Sequence, residues 1–257
     1  MLKRVEADAG GGGAARRPVL IVLHQHHSNP GHVGRWFREH GFPLDIRRTR
    51  FGDLLPTTLE RHTGAVIFGG PMSANDSDAF VRHEIEWLKV PLAERRPFLG
   101  ICLGAQMLSK HLGGQVGFDP DGYAEIGYHP IRPTPEGRAL FEWPEQVYQW
   151  HREGFTVPEG GALLAEGDRF ENQAFRYGPA AFGIQFHPEI SQALVYRWTG
   201  RSGHRLIMPG ARPRTAHVDG HVRYGPGQRR WLDAFLTHWV SLAQADMDAE
   251  AAETDRV

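Results

Sequence analysis

Apolar residues in this chain come in short unbroken runs separated by amphipathic stretches. PVLIVLH (18–24), GAVIF (64–68) and the run 97–101 lack polar alternation, which marks strands buried on both faces. Residues 42–47 read as a weaker strand. Residues 33–40 read as a short helix. Residues 79–94 read as a longer helix carrying Phe80, Ile85, Trp87 and Leu88, with Asp76 and Asp78 near its start. Strands that alternate with helices and end in glycine-rich turns imply an α/β fold, with a mostly parallel sheet covered on both faces. After Gly114 the rhythm changes. Residues 123–131, 146–150, 162–166, 174–177 and 181–186 read as short strands, and helical signal is nearly absent over 115–186, so hairpins extending the sheet are predicted. Residues 231–242 read as a closing amphipathic helix. Residues 199–229, rich in Gly, Pro, His and Arg, read as a long surface excursion. Segments 1–17 and 245–257 read as flexible ends around one domain at 18–244.

Composition removes several function classes. The net charge of −1 over 257 residues gives no electrostatic case for nucleic acid or an anionic membrane surface. No run approaches the roughly 18 consecutive apolar residues of a membrane span. The glycine-rich, acidic N-terminal stretch lacks the apolar region of a signal peptide. A single cysteine allows no intramolecular disulfide and no multi-cysteine metal site, so a cytoplasmic location is expected.

That cysteine carries the chemistry. Cys102 sits in Gly100-Ile101-Cys102-Leu103-Gly104, between an apolar strand and a helical run ending at Gly113-Gly114. A nucleophile on a sharp strand-to-helix turn needs glycines on both sides, because side chains would clash there. A thiol attacks only as the thiolate, and a helix N-terminus favours that anion. A lone cysteine is often just a small core residue; the glycine bracket argues against that here. His187, in Gly183-Ile184-Gln185-Phe186-His187-Pro188-Glu189, ends another apolar strand. Pro188 keeps His187 extended, and residues i and i+2 of an extended segment point the same way, so Glu189 can orient the imidazole. An oxyanion needs preorganised N–H donors. Leu103 N–H follows the nucleophile, and Gly70, in Gly69-Gly70-Pro71-Met72-Ser73, lies at a neighbouring strand end. All of these fall at carboxyl ends of predicted strands, where open α/β sheets bind ligands.

FLGICLGAQMLSKHLGG (98–114), GGPMS (69–73) and GIQFHPE (183–189) together resemble the class I, or triad, glutamine amidotransferases. Within that family they look most like stand-alone members similar to the glutaminase domain of GMP synthase. The resemblance runs from about residue 18 to about residue 244. It implies a flavodoxin-like sheet with helices on both faces. It also implies hydrolysis of the glutamine side-chain amide through a γ-glutamyl thioester, with no cofactor. Cys102 would be the nucleophile, His187 the general acid and base, and Glu189 the orienting carboxylate, with Gly70 and Leu103 as the oxyanion hole. Gln106 would contact the substrate, helped by backbone at Met72. Trp150, His151, Arg152 and Glu153 lie where relatives cradle the α-amino and carboxylate groups of glutamine. Arg152 departs from the glycine often found there and offers a guanidinium to a carboxylate instead. No segment resembles an ATP pyrophosphatase, so the ammonia acceptor would be a synthetase subunit on a separate chain. Two other readings stay open: a hydrolase of γ-glutamyl peptides or conjugates, and a triad-bearing module that binds without turnover.

Other features point elsewhere. His24-Gln25-His26-His27 lacks the converging carboxylate or cysteine spacing of a metal site and reads as a strand-end loop near the pocket mouth. His204, His217 and His221 read as solvated. The seven tryptophans read as packing residues. Gly69-Gly70 is not a phosphate loop, because no Gly-Lys-Ser/Thr follows.

Overall fold

A computed structural model describes the backbone of residues 16–254 and the side chains of residues 16–243. In chain order the first elements are β1 (Val19–Val22), α1 (Gly31–Glu39), β2 (Leu44–Arg47), β3 (Gly64–Ile67), α2 (Ala79–Trp87), α3 (Lys89–Ala93), β4 (Phe98–Ile101) and α4 (Leu103–His111). The less regular middle holds β5 (Val116–Phe118), β6 (Glu125–Pro130), β7 (Arg132–Pro133), α5 (Pro135–Leu140), β8 (Gln146–His151) and β9 (Glu153–Phe155). β10 (Gly161–Glu166), β11 (Asn172–Tyr177), β12 (Ala181–Ile184), α6 (Gln192–Arg201) and α7 (Arg214–Thr254) close the fold.

The unbroken apolar runs become the centre of an eight-stranded sheet in the order β2-β1-β3-β4-β12-β11-β10-β7. The first five of these are mutually parallel, and β11, β10 and β7 extend the sheet antiparallel. Burial on both sides explains the lack of alternation. Val19, Ile21, Val66 and Leu99 pack with Val33 and Phe37 of α1 and with Phe235 and Trp239 of α7. Leu20, Val22, Ala65 and Ile67 pack with Met107 and Leu108 of α4 and with Val81 and Trp87 of α2. The two pairs β5-β9 and β6-β8 form separate antiparallel ribbons. The chain reverses its direction of sheet growth at β1 and β3, which is a topological switch point, and crevices open at the carboxyl ends of such strands.

Three expectations need correction. Residues 199–229 are not one surface excursion: α6 ends at Arg201, the turn Gly203–Arg205 follows, and α7 begins at Arg214. The buried face of α7 carries His217, Gln228, Trp231, Phe235 and Trp239 at helical spacing, but its first turns use histidine, glycine and glutamine where a hydrophobic pattern would show apolar residues. Gly220 is needed there because a Cβ would lie 2.6 Å from the Tyr128 ring. The same packing carries the helix across Pro226. The second correction is α5, which is too short for periodicity to reveal; it starts from Thr134, whose side chain accepts the Gly137 N–H, with proline in the first turn. The third concerns the histidines. His217 is fully buried, 2.9 Å from the Tyr148 hydroxyl and 3.0 Å from Arg212 O, and His221 Nδ1 lies 3.0 Å from the Tyr128 hydroxyl. Of the two end segments, residues 1–15 lie outside the described residues, while the α7 backbone continues through Thr254.

Candidate active site

β4 delivers the chain into Cys102, which takes φ 52° and ψ −104° before α4 starts at Leu103. A non-glycine residue pays a steric cost of about 1–3 kcal/mol for such a backbone, and one held there marks a site the surroundings over-determine. The bracketing glycines are explained by contact distances. A Cβ on Gly100 would lie 2.5 Å from the Gly104 carbonyl, and one on Gly104 would lie 2.2 Å from Ile67 O. Strand β3, the turn and α4 therefore pack backbone against backbone. Cys102 N–H donates to Ile184 O at 2.8 Å, tying the turn to the end of β12. The thiol is buried at the start of α4, where the first backbone N–H groups have no intrahelical acceptor.

His187 and Glu189 follow β12. His187 Nδ1 lies 2.7 Å from Glu189 Oε1, so it donates to the carboxylate and leaves Nε2 as the functional nitrogen. Nε2 is buried and, apart from the Cys102 thiol that helps raise the ring's pKa, has no hydrogen-bond partner among the described residues. Gly69 shows where this imidazole stands: a Cβ there would be 2.7 Å from His187 Cε1 and 3.4 Å from Cys102 Cβ, so the ring and the cysteine flank the same glycine. Burial opposes a charge on the ring, but Glu189 and Cys102 outweigh it, and the His187 pKa is pushed up to about 10. Trp198 of α6 packs edge-on against the ring, centroids 4.9 Å apart. The backbone is clamped as well. His187 N–H donates to Tyr148 O at 2.8 Å, and Gln228 of α7 bridges the same strands, donating to His187 O at 2.9 Å and accepting from Tyr148 N–H at 2.7 Å.

Gly70 stands against the start of α4: a Cβ on it would be 3.0 Å from Leu103 Cδ2 and 3.1 Å from His24 Cγ. His24 is not a loop residue but a fully buried one. Its Nδ1 lies 3.2 Å from Gly69 O and its Nε2 2.9 Å from Glu84 Oε2, while Glu84 also accepts from the Thr49 hydroxyl. Both neighbours are acceptors, so the ring serves them fully only as an imidazolium. Burial works against that charge, Glu84 outweighs it, and the pKa is raised. His26 turns away and lies against Phe51, ring centroids 3.7 Å apart.

Two adjoining hollows meet at Cys102. The larger, about 230 Å³, is walled by Cys102, His187, Glu189, Trp150, Trp198 and arginines of α6. The smaller carries Gly70, Met72, Gln106, Trp150, His151 and Arg152, which places six of the sequence-predicted residues around one cleft with Cys102. Leu103 is the first residue of α4, directly after Cys102, and is not among the residues that wall either hollow. Gln106 Nε2 donates to Glu153 O at 2.8 Å. Both ring nitrogens of His151 are engaged, Nδ1 3.0 Å from Glu153 O and Nε2 3.1 Å from Glu125 Oε2, so its polar atoms brace the cleft wall. Arg152 lies over the Phe118 ring at 5.1 Å. The Glu153 carboxylate accepts from Ser73 Oγ at 2.8 Å in the same cleft. Sequence reading missed Arg205, which borders both hollows. It also missed the positioning contacts of His24 and Gln228. Nothing local marked these residues.

Known proteins resemble this chain in sequence and in fold. The family model described as glutamine amidotransferase class-I matches residues 26–194. The glutamine amidotransferase-like protein YfeJ of Salmonella typhimurium is 29% identical over 187 residues, covering 69% of this chain and 77% of that protein. A glutamine-hydrolysing GMP synthase of Porphyromonas gingivalis is 38% identical over 141 residues, 53% of this chain but only 26% of the synthase. The crystal structure of a glutamine amidotransferase from Methylobacillus flagellatus superposes with a TM-score of 0.82 at 28% identity, covering 88% of this chain and 95% of that one.

Proposed function

The chain belongs to the class-I glutamine amidotransferase family, and from that premise we propose that it hydrolyses a γ-glutamyl amide through a thioester on Cys102, with L-glutamine as the substrate. The observation that carries this reading is the hydrogen-bonded His187–Glu189 pair beside a strained, buried cysteine at a helix start. Cys102 attacks the amide carbonyl as the thiolate, paired with a His187 imidazolium that Glu189 holds in place. Negative charge builds on the carbonyl oxygen, where the N–H groups of Gly70 and Leu103 stabilise it. His24 fixes the Gly69 carbonyl, and because Gly70 N–H belongs to the same planar peptide unit, that contact also fixes the direction of the donor. Collapse of the tetrahedral intermediate breaks the C–N bond as His187 Nε2 gives its proton to departing ammonia. His187 then takes a proton from water, the hydroxide attacks the thioester, and glutamate leaves with the thiolate restored.

The smaller cleft holds the glutamyl part, with Gln106, Met72, Trp150, His151 and Arg152 around it. The released ammonia passes to an acceptor on another chain, as the match to the amidotransferase part of a much longer synthase suggests. Ammonia release from glutamine by the purified chain tests the reading, with Cys102→Ala as control. Release that depends on Cys102 is expected; equal release from both forms, or none from either, would overturn it.

A further inference from the structure

His151 is held in the same way as His24. Its Nδ1 faces the Glu153 carbonyl at 3.0 Å and its Nε2 faces Glu125 Oε2 at 3.1 Å. A carbonyl and a carboxylate can only accept, so both ring nitrogens donate and the ring is an imidazolium. Glu125 is the matching anion: burial works against its charge, but His151 outweighs burial and the pKa is lowered. Neither side chain is more than 3% exposed, and charges this deep are costly unless their hydrogen bonds are complete. Glu125 Oε2 takes a second donor, Gln173 Nε2, at 2.8 Å. The other N–H of Gln173 goes to Phe170 O at 3.0 Å.

Glu125 is a joint between parts of the fold that are otherwise separate. It is the cross-strand partner of His151 in the β6-β8 ribbon, while Gln173 belongs to β11 of the main sheet. Backbone bonds on either side pin it, Ala124 N–H to Pro209 O and Arg212 N–H to Ile126 O, each at 2.8 Å. From Glu125 the contacts run on to the cleft. The Glu153 carbonyl that takes the His151 donor also accepts from Gln106 Nε2 at 2.8 Å. The second N–H of Gln106 points at Gln185 Oε1, 3.3 Å away. Both amide hydrogens of Gln106 are used, which leaves its Oε1 to accept an N–H of the substrate.

We propose that Glu125 is a positioning residue of the glutamine site: through the His151 imidazolium it fixes the Glu153 carbonyl, and with it the direction in which Gln106 presents its oxygen to the substrate. This assignment rests on the thioester reading above and adds no group to the chemistry at Cys102. The donors no longer balance in Glu125→Gln, although its shape is kept. A neutral imidazole has one N–H for two acceptors. If Nε2 keeps the proton, Nδ1 turns a lone pair on Glu153 O. If Nδ1 keeps it, Nε2 needs a donor, and a carboxamide turned to supply one sets its NH2 against the committed NH2 of Gln173. One contact is lost either way. Adding His151→Gln restores the match, because a carboxamide at 151 brings two N–H donors, one for Glu153 O and one for the oxygen at position 125.

KM and kcat for L-glutamine are measured on the full chain for wild type, Glu125→Gln and the double variant with His151→Gln, together with the rate at which iodoacetamide alkylates Cys102. Glu125→Gln is expected to raise KM about tenfold, the size of one lost hydrogen bond, with kcat and alkylation within about threefold of wild type. The double variant is expected to bring KM back to within about threefold of wild type. A residue that merely supported the fold would lower kcat and change alkylation along with KM, and the double variant would be worse than the single one. Calorimetry with L-glutamine and Cys102→Ala, with and without Glu125→Gln, needs no turnover. A Kd weakened about tenfold in a chain that releases no ammonia would sink the hydrolase reading and leave Glu125 in its role. An unchanged KM in a chain that turns glutamine over would overturn the proposal and leave the hydrolase reading. A double variant no better than Glu125→Gln in folding or in KM, or a Cys102→Ala chain that binds no glutamine, also overturns the proposal.

Discussion

Glu189→Gln removes one charge from a buried contact and almost nothing from its shape. Glu189 is 3% exposed, its Oε1 lies 2.7 Å from His187 Nδ1, and a carboxamide oxygen can accept the same hydrogen bond. What changes is the stability of the imidazolium. Moving the His187 pKa from an ordinary value of about 6.5 to about 10 corresponds to roughly 5 kcal/mol of preference for the charged ring, at about 1.4 kcal/mol per tenfold. Burial works against that preference, and Glu189 and Cys102 together supply it. A hydrogen bond to a charged group is worth about 1.5–3 kcal/mol, which sets the scale of the loss. The variant should therefore lose about 10²-fold in kcat/KM at neutral pH, read by coupled ammonia release, while staying folded with a modestly lowered unfolding midpoint. Activity within threefold of wild type in a folded variant would refute the reasoning, because His187 would then be charged and oriented by something else.

Three further outcomes follow from the same geometry. A histidine whose folded pKa is raised adds stability that is complete below its unfolded value of about 6.5 and disappears as pH climbs through about 10, so the denaturant midpoint should fall across that window and fall less in His187→Gln; parallel curves would contradict the pairing. Gly104→Ala would put a Cβ 2.2 Å from Ile67 O, a backbone atom that cannot turn aside, so a loss of about 1–3 kcal/mol and of most activity is expected in thermal melts and turnover assays. His24→Leu should lower kcat more than it raises KM, and His24→Asn, which keeps a donor near Gly69 O, should recover part of kcat; identical defects in both would mean that His24 only fills space.

The strands of the parallel half were legible because burial on both faces leaves a signature that needs no partner information. The elbow was legible for a different reason: two glycines and a cysteine at fixed spacing encode a backbone conformation that few other sequences tolerate. His187 and Glu189 could be paired across one proline because extended geometry alone sets their direction. What escaped was decided by tertiary contact. The first turns of α7 present histidine and glutamine to the interior, so their buried face resembles a polar loop until Tyr148 and Tyr128 are placed against it. His24 looked like part of a histidine-rich loop, and its partner Glu84 lies 60 residues away on α2. Arg197, Arg201 and Arg205 come from α6 and the turn after it, and only the fold brings them to the hollow that His187 borders.

The central claim is covalent. The chain mixed with excess glutamine, quenched in acid within the turnover time and digested should yield a γ-glutamyl thioester on the peptide carrying Cys102. That adduct should form more slowly in Glu189→Gln and be absent from Cys102→Ala. Ammonia release with no adduct on Cys102, or the same adduct found on another residue of Cys102→Ala, would contradict the account.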